Sequence, residues 1–313
     1  MIRKIYFVLL YLLVLHSSCR TDYDWVAPDP PLAEKYRILC LFEPGKSIIA
    51  NIGDVVDPED SISEKINDRF LFSFFSDSLY YFRPSVSTNF SSQFLNSKWK
   101  ESPTNEYKLF CSIDSNLILT SETKLPKEVK LDVKHSIKPV NVLQNKTKHS
   151  AEIHLEWNDP EPDVQNYYHL VFYKVRYTKN KISGMYEIDL SEILPPLDVF
   201  FSNSNERGQL ILQHEPGVLV DDHFFRNGPI KLDYLLRTKN TIDLNEEKFI
   251  QIKAEIRSVS EDYYKYFRAI TLQYQAQTGT LPILESVSSY SNIKGGLGIF
   301  AGYRSIAMDY KIQ

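Results

Sequence analysis

Long apolar runs are absent from this chain beyond its N-terminal segment. A membrane-spanning helix needs roughly 20 consecutive apolar residues, and no stretch after position 18 approaches that length. An excess of basic charge is also absent, because 36 Lys and Arg are set against 40 Asp and Glu, for a net charge of −4 at pH 7. Proteins that bind nucleic acid neutralise phosphates with clustered Lys and Arg. The composition therefore argues against a nucleic-acid partner.

Cysteine and glycine are scarce, with 3 and 11 residues among 313. The sequence contains no C-x-x-C, no H-E-x-x-H and no G-x-S-x-G segment, so it offers no familiar metal, redox or hydrolase motif. Aromatic residues are plentiful, with 20 Tyr and 18 Phe, and they favour strands. We therefore expect a strand-rich protein with no catalytic residues, no metal ligands and no cofactor.

The N-terminus has the layout of a secretory signal peptide. Two basic residues precede an apolar run at positions 5–15, and small residues precede Cys19. The cysteine after Ser17 and Ser18 resembles a bacterial lipobox. This predicts a lipoprotein signal peptide over residues 1–18 and lipidation of Cys19, so that acyl chains hold the protein on a membrane. The alternative is a secreted protein cut near one of the two serines.

A tether and a first domain follow the predicted lipid anchor. Residues 19–34 are rich in Asp and Pro, which favour extended backbone, and predict a spacer. Residues 35–135 contain short apolar runs separated by turn signals such as Pro44-Gly45. They predict an N-terminal immunoglobulin-like or transthyretin-like β-sandwich. Within it the polar stretch 91–105 is interpreted as a loop, and a polar break follows the domain.

Residues 150–313 predict a larger β domain with one packed α-helix. In the segment KFIQIKAEIR the apolar residues alternate with charged or polar ones, which predicts a strand with one buried and one wet face. A helix is expected at about 260–277, with Ser260 as its cap and two acidic residues in its first turn. Four aromatic or aliphatic residues at helical spacing are expected to pack it on a sheet: Tyr263, Phe267, Ile270 and Tyr274.

The segment NIKGGLGIF, residues 292–300, raises the question of a phosphate cradle. Such a cradle needs a helix N-terminus after the glycines, so that backbone N–H groups converge on the anion. The residues that follow alternate between apolar and polar, which predicts a strand. Gly295, Gly296 and Gly298 are therefore interpreted as positions of positive φ or close backbone approach, with Phe300 entering a core.

Segments along the whole chain also resemble one family in the same order. The segment NIKGGLGIFAGY resembles the C-terminal signature of a Bacteroidota outer-membrane lipoprotein family classed as domain of unknown function 4249. The other matching segments are the lipobox at Cys19, TKLPKEVKLD, WNDPEPDVQNYYHL and VSEDYYKYFRAITLQ.

The resemblance implies a mainly β lipoprotein of the outer membrane with a non-catalytic accessory or binding role. It implies a partnership with a TonB-dependent β-barrel receptor in nutrient uptake. It also implies a structural signature, comprising Asn292, Gly295, Gly296, Gly298 and Phe300. The alternatives are a surface adhesin or envelope structural lipoprotein without an uptake partner, and an unrecognised hydrolase that uses the acidic loops.

Two acidic loops are the other candidate sites. DPEPD, Asp159 to Asp163, places three carboxylates at alternate positions, which is typical of calcium ligands, but the Gly turn and distal Glu of a calcium loop are missing. We interpret it as a stiff turn in which Asp159 caps the following backbone. Asp222 and His223 could serve a metal or proton-transfer site, yet a lone His beside Asp is more typical of a surface loop.

Cys40 and Cys111 are each flanked by apolar residues at two-residue spacing, so both are predicted to face a core. An oxidising envelope would permit a disulfide if their strands were neighbours. The sequence favours buried free thiols and leaves the bridge as an alternative.

Overall fold

The computed structural model describes most of the chain that follows the predicted tether. The described residues are 36–54, 70–87, 91–113, 117–129, 134–141, 149–193, 199–201, 209–212, 217–225, 229–238, 248–278 and 289–312. They belong to one compact unit, Ala33–Gln313. The predicted signal peptide, Cys19 and the tether lie outside the described residues. None of the helices in the described ranges is long and apolar enough to cross a membrane.

The described residues form 18 strands and one α-helix. The strands of the first half are β1 (Tyr36–Phe42), β2 (Ile48–Asp54), β3 (Phe70–Phe75), β4 (Leu79–Tyr81), β5 (Arg83–Ser87), β6 (Ser91–Asn96), β7 (Glu106–Ile113), β8 (Leu117–Lys124) and β9 (Lys134–Asn141). Those of the second half are β10 (His149–Trp157), β11 (Tyr167–Lys179), β12 (Tyr186–Ile193), β13 (Val199–Phe201), β14 (Gln209–Leu212), β15 (Gly217–Asp221), β16 (Ile230–Thr238), β17 (Lys248–Val259) and β18 (Leu297–Ile312), with the helix α1 (Glu261–Gln277) between the last two. A 3₁₀ turn, Asp222–Phe225, follows β15.

The described strands form three sheets. A ten-stranded central sheet has the order β14-β15-β11-β17-β18-β1-β2-β6-β5, with β12 also paired to β11. An N-terminal sheet has the order β4-β3-β7-β8, and a C-terminal sheet has the order β13-β16-β10-β9. The described part is thus mainly β with one packed helix, which confirms the predicted fold class.

The central sheet forms one sandwich with each of the smaller sheets. Against the N-terminal sheet it buries an aromatic-rich core, in which Phe42 stacks on Phe300 with ring centroids 5.1 Å apart. Against the C-terminal sheet it buries a second core, where Trp157 meets Tyr168 edge to face at 5.3 Å. Both sandwiches depend on period-2 alternation, which sends every other side chain of a strand into the core.

The helix α1 lies on the other face of the central sheet. Ser260 caps it, since its Oγ accepts the N–H of Tyr263 at 3.3 Å. Tyr263 and Phe267 are buried as expected, and Ile270 packs against the same cluster. The predicted fourth contact, Tyr274, is 37% exposed. The helix instead buries Tyr266 and Thr271, because the sheet contacts a neighbouring stripe of its surface.

Strand β18 belongs to both sandwiches. Its first part, from Leu297, runs parallel to β1, and its later part, from Tyr303, runs antiparallel to β17. Phe300 enters the N-terminal core and Met308 the C-terminal core. The two predicted sequence domains, 35–135 and 150–313, therefore share one hydrogen-bonded sheet.

Two segments interpreted as unstructured contain strands. Ser91–Asn96, within the predicted loop, forms β6 between β2 and β5, and Phe94 is buried there. The polar break before residue 150 contains part of β9, which pairs with β10. Both segments are polar, so local periodicity did not reveal strands whose main chains are stabilised by pairing with neighbours.

The prediction that the polar face of β17 is exposed to solvent is also wrong at the centre of the strand. Glu255 is buried, and its Oε1 accepts a hydrogen bond from Nε of Arg257 at 2.8 Å. The Arg257 guanidinium donates to the Tyr173 hydroxyl at 2.9 Å and lies over the ring of Tyr303, 5.1 Å from its centroid. The charges are tolerated because they are paired and enclosed by aromatic rings.

Candidate functional site

The glycine segment joins the N-terminal sheet to the central sheet. The side chain of Asn292 forms two hydrogen bonds with the main chain of Phe300: Nδ2 donates to the carbonyl oxygen at 2.8 Å, and Oδ1 accepts the N–H at 2.9 Å. Lys294 exchanges backbone hydrogen bonds with Thr120 on β8. Ser121 on the same strand donates to the Asn292 carbonyl at 2.9 Å. The segment therefore holds β8 against the start of β18.

Two of the three signature glycines adopt backbone conformations that other residues avoid. Gly295 has a φ of +82° and Gly298 a φ of +113°. At Gly298 a Cβ atom would lie 2.8 Å from the carbonyl carbon of Ile38 and 2.9 Å from its nitrogen. Gly296 accepts a hydrogen bond from Ser291 Oγ at 3.4 Å. A strand, β18, follows these glycines, as the alternation predicted.

The loop between β10 and β11 is held by hydrogen bonds that centre on Asn166. The Oδ1 atom of Asp159 accepts the N–H of Glu161 at 2.9 Å, which is the predicted backbone cap. The same oxygen accepts Nδ2 of Asn166 at 2.8 Å. Asn166 Nδ2 also donates to the carbonyl oxygens of Glu161 and Val164, both at 3.0 Å. The prolines and these bonds make the loop a stiff turn.

Asp222 is not a surface residue, contrary to the interpretation of its loop. Its side chain is 5% exposed, and its Oδ2 accepts the N–H of Asn166 at 2.9 Å. In return the Asp222 N–H donates to the Asn166 carbonyl at 3.2 Å. The pairing of β11 with β15 places Asp222 beside this loop, because Tyr167 lies opposite Asp221 and Asn166 and Asp222 are the next residues at that end. His223 remains exposed.

The structure thus brings Asp159 and Asp222 together around Asn166. Burial raises the pKa of Asp222 to about 6; the Asn166 N–H opposes that rise, and the nearby Asp159 carboxylate adds to it. His223 and Asp163 are exposed. Among the described residues no group of three or more His, Cys, Asp or Glu side chains could hold a metal ion.

A groove of about 700 Å³ lies beside this loop. It is formed where three structures meet: the ends of β7 and β8, the β10–β11 loop, and the first turn of α1. Its lining segments are 105–108, 122–126, Glu161, 164–167 and 259–262. The volume lies within the range of roughly 300–1,000 Å³ usual for ligand sites. The lining residues are far apart in the sequence, so no local motif indicated this groove.

Most of the charged side chains at the groove are paired, two pairs of them between the neighbouring strands β7 and β8. Lys108 lies 3.4 Å from Glu122, and Lys124 lies 3.4 Å from Glu106. Lys127 reaches Glu161 of the β10–β11 loop at 2.8 Å and so bridges the two sandwiches.

The helix end of the groove carries two further carboxylates. Glu261 pairs with Lys265 at 2.7 Å, and Asp262 accepts a hydrogen bond from the Tyr290 hydroxyl. Burial and this contact raise the pKa of Tyr290. The groove is therefore polar at its rim, with carboxylates, amides and ammonium groups available to a neutral polar ligand or to a loop of a partner.

The fold places the protein among mainly β proteins built from packed sandwiches. It belongs to the family described as a domain of unknown function (DUF4249), whose model matches residues 63–306. This match confirms the domain of unknown function that the sequence segments indicated. A comparison with curated protein sequences gives no match.

Two solved structures share a distant likeness with the chain. A mutant of Salmonella alpha-2-macroglobulin is 8% identical, with a TM-score of 0.25, over 88% of this chain and 15% of that one. A DUF4785 family protein from Legionella pneumophila is 9% identical, with a TM-score of 0.23, over 70% of this chain and 51% of that one. The chain spans less than two thirds of either structure.

Proposed function

We propose that the protein is an outer-membrane lipoprotein of a Bacteroidota cell, anchored through Cys19, that acts as a non-catalytic accessory or binding module. Its partner is a TonB-dependent β-barrel receptor engaged in nutrient uptake. The family resemblance implies this partnership, and the lipobox and the proline-rich tether supply the anchor and the reach. The protein faces either the periplasm or the cell surface.

The groove is the observation that carries a binding role. Three elements from both sandwiches converge on it, and its lining combines amides, hydroxyls and charged groups with apolar surface. Ligand sites commonly form where separate structural units meet. A receptor loop or a polar nutrient fragment would contact Gln165 and the first turn of α1 there.

The acidic residues that a hydrolase would need have packing roles instead. Asp159 and Asp222 are engaged with the backbone and side chain of Asn166. Neither carboxylate is among the residues that line the groove. A binding role therefore accounts for the arrangement better than hydrolysis by this pair.

Affinity purification tests the proposal. The protein is tagged at Gln313, expressed in its native membrane and purified in mild detergent, and the retained proteins are identified by mass spectrometry. Recovery of one TonB-dependent barrel in stoichiometric amount is expected. A lipoprotein recovered alone contradicts the uptake role and leaves adhesion or an envelope structural role to be tested.

A matched pair of variants tests the groove itself. Glu261→Lys reverses a charge at the groove rim, whereas Glu187→Lys reverses an exposed charge on β12, outside the groove. We expect the first variant to lose the barrel and the second to retain it. Equal retention by both variants would show that the barrel binds elsewhere.

A further inference from the structure

The outer face of the N-terminal sheet exposes an unusual number of large apolar side chains. The inward residues of its strands fill the core, and alternation turns their neighbours outward. Six of these outward residues are between 36% and 61% exposed: Leu71, Phe75, Leu79, Tyr81, Phe110 and Ile118. We call them the apolar face. A contiguous exposed apolar patch of this kind marks a contact surface.

The strand register orders this face into rows. One row contains Leu71, Ser112 and Ile118. The next row contains Tyr81, Ser73, Phe110 and Thr120. None of these seven described residues carries a charge.

Charge begins at the opposite end of the same face. The third row contains Leu79, Phe75, Lys108 and Glu122, and beyond it Lys124 lies opposite Glu106. The face is therefore apolar at one end and charged at the other. A face with this gradient fits the boundary between a hydrocarbon phase and water better than it fits an interface that is buried throughout.

The chain from the predicted lipid anchor enters at the uncharged end. The first described residue, Tyr36, packs edge to face on Phe70 with ring centroids 5.6 Å apart. Phe70 immediately precedes Leu71 in β3, so the described chain begins beside the first row. The end of the apolar face nearest the anchor is thus also its least polar end.

We infer that the apolar face docks on the lipid surface of the membrane that holds Cys19, with its uncharged rows in the boundary between headgroups and acyl chains. The inference rests on the lipid anchor of the proposed function, and it is independent of the receptor. The hydroxyl of Tyr81 can remain at the headgroups while its ring lies deeper. Lys294, exposed beside Thr120 at the sheet edge, favours anionic headgroups.

Because the tether keeps the folded body near the membrane, a weak interaction of the apolar face with lipid is sufficient to orient it. From Cys19 to Tyr36 the chain can span at most about 60 Å when fully extended, so the body cannot leave the membrane surface. A short tether converts docking into an intramolecular event at high effective concentration. Four partly exposed apolar side chains at the uncharged end are then enough to orient the body.

Site-specific fluorescence tests the inference in the lipidated full-length protein. Ile118→Cys and, separately, Leu71→Cys are labelled with the environment-sensitive dye NBD after reconstitution into phosphatidylethanolamine–phosphatidylglycerol vesicles. We expect NBD emission at shorter wavelength and a large loss of intensity when the acyl chains carry nitroxide groups. Ile182→Cys is the matched control, because Ile182 is 99% exposed on the turn after β11; its dye should behave as in water.

Several outcomes would overturn the inference. A dye at position 118 that behaves like the one at 182 in pure lipid vesicles excludes membrane docking. If the dye is shielded from water only in native membranes, the face binds a protein partner. If the shielding increases with the density of the protein in the vesicles, the face binds a second copy of the chain. A protein that fails to float with vesicles has lost the lipid anchor, and that result counts against the proposed function as well.

Discussion

Asn292 pairs with Phe300 as one strand pairs with another. Its side-chain amide donates to the Phe300 carbonyl and accepts the Phe300 N–H, at 2.8 and 2.9 Å. The amide thus satisfies both main-chain groups of a residue whose ring stacks on Phe42 in the N-terminal core. The contact fixes the point at which β18 enters the central sheet, and so it ties the signature segment to the packing of both sandwiches.

Asn292→Ala should lower the free energy of unfolding by about 2 kcal/mol. The change removes two hydrogen bonds and leaves main-chain groups of a buried residue to find other partners, and each such loss costs roughly 1–3 kcal/mol where water cannot enter. Urea denaturation followed by tryptophan fluorescence measures the change.

Asn96→Ala is the control for this prediction. Asn96 also bonds the main chain twice, to the Tyr81 carbonyl and the Lys98 N–H, but both bonds are exposed. Water can replace them, so a loss below about 1 kcal/mol is expected. Equal losses for the two variants would mean that the Asn292 contact has no special role in joining the sheets.

Gly298→Ala should destabilise the protein by about 3 kcal/mol or more. The residue combines a φ of +113° with a Cβ position that would overlap the Ile38 backbone, and two paired strands cannot move apart to make room. Gly45→Ala isolates the dihedral cost, because Gly45 has a φ of +79° with nothing within 4 Å of the added Cβ; about 1 kcal/mol is expected there. Thermal unfolding of both variants compares the two contributions, and equal losses would refute the backbone overlap.

Local patterns predicted most of what lies within single elements. Alternation located the core faces of β1 and β7, and the cap and periodicity located α1. The parallel pairing of β1 with β18 was not predictable in this way, because it joins residues about 260 positions apart. Neither periodicity nor turn residues specify a partner strand at that distance.

The candidate site shows the same division between local and long-range information. The cap formed by Asp159 follows from its loop sequence, whereas the burial of Asp222 depends on the pairing of β11 with β15. The sequence analysis did not predict the apolar face. The segment FLFSFF, which has apolar residues on both sides of the strand, held a signal for part of it, because such a run departs from strict alternation.

Cys40 and Cys111 should both be unreactive free thiols in the folded protein. Both are free and fully buried, and burial raises the pKa of each thiol. Since the thiolate is the reactive form, a disulfide reagent should label neither residue under native conditions and both after unfolding in urea without reductant. Fewer than two reactive thiols in the unfolded protein would indicate a bridge, which is the alternative that the sequence left open.

The stability of the protein should fall as the pH rises through about 6, because of Asp222. Its pKa is about 6 in the folded state against an ordinary value of 3.8, so the folded state binds the proton more tightly than the unfolded chain. The stabilising contribution is therefore complete below about pH 4 and is lost as the pH passes the folded pKa, a loss of up to about 3 kcal/mol. Urea denaturation at pH 5 and pH 7.5 measures about 1.4 kcal/mol of this loss, because pH 5 lies one unit below the folded pKa.

Asp222→Asn should remove much of this dependence. An amide oxygen can still accept the Asn166 N–H, while the amide group places no second negative charge beside Asp159. The difference in unfolding free energy between pH 5 and pH 7.5 should shrink by about 1.4 kcal/mol relative to the unmodified protein, with most of the gain at the higher pH. Asp163→Asn, an exposed change on the β10–β11 loop, should leave the pH dependence of the unfolding free energy unchanged. If both variants keep the full pH dependence, its origin lies in groups other than Asp222.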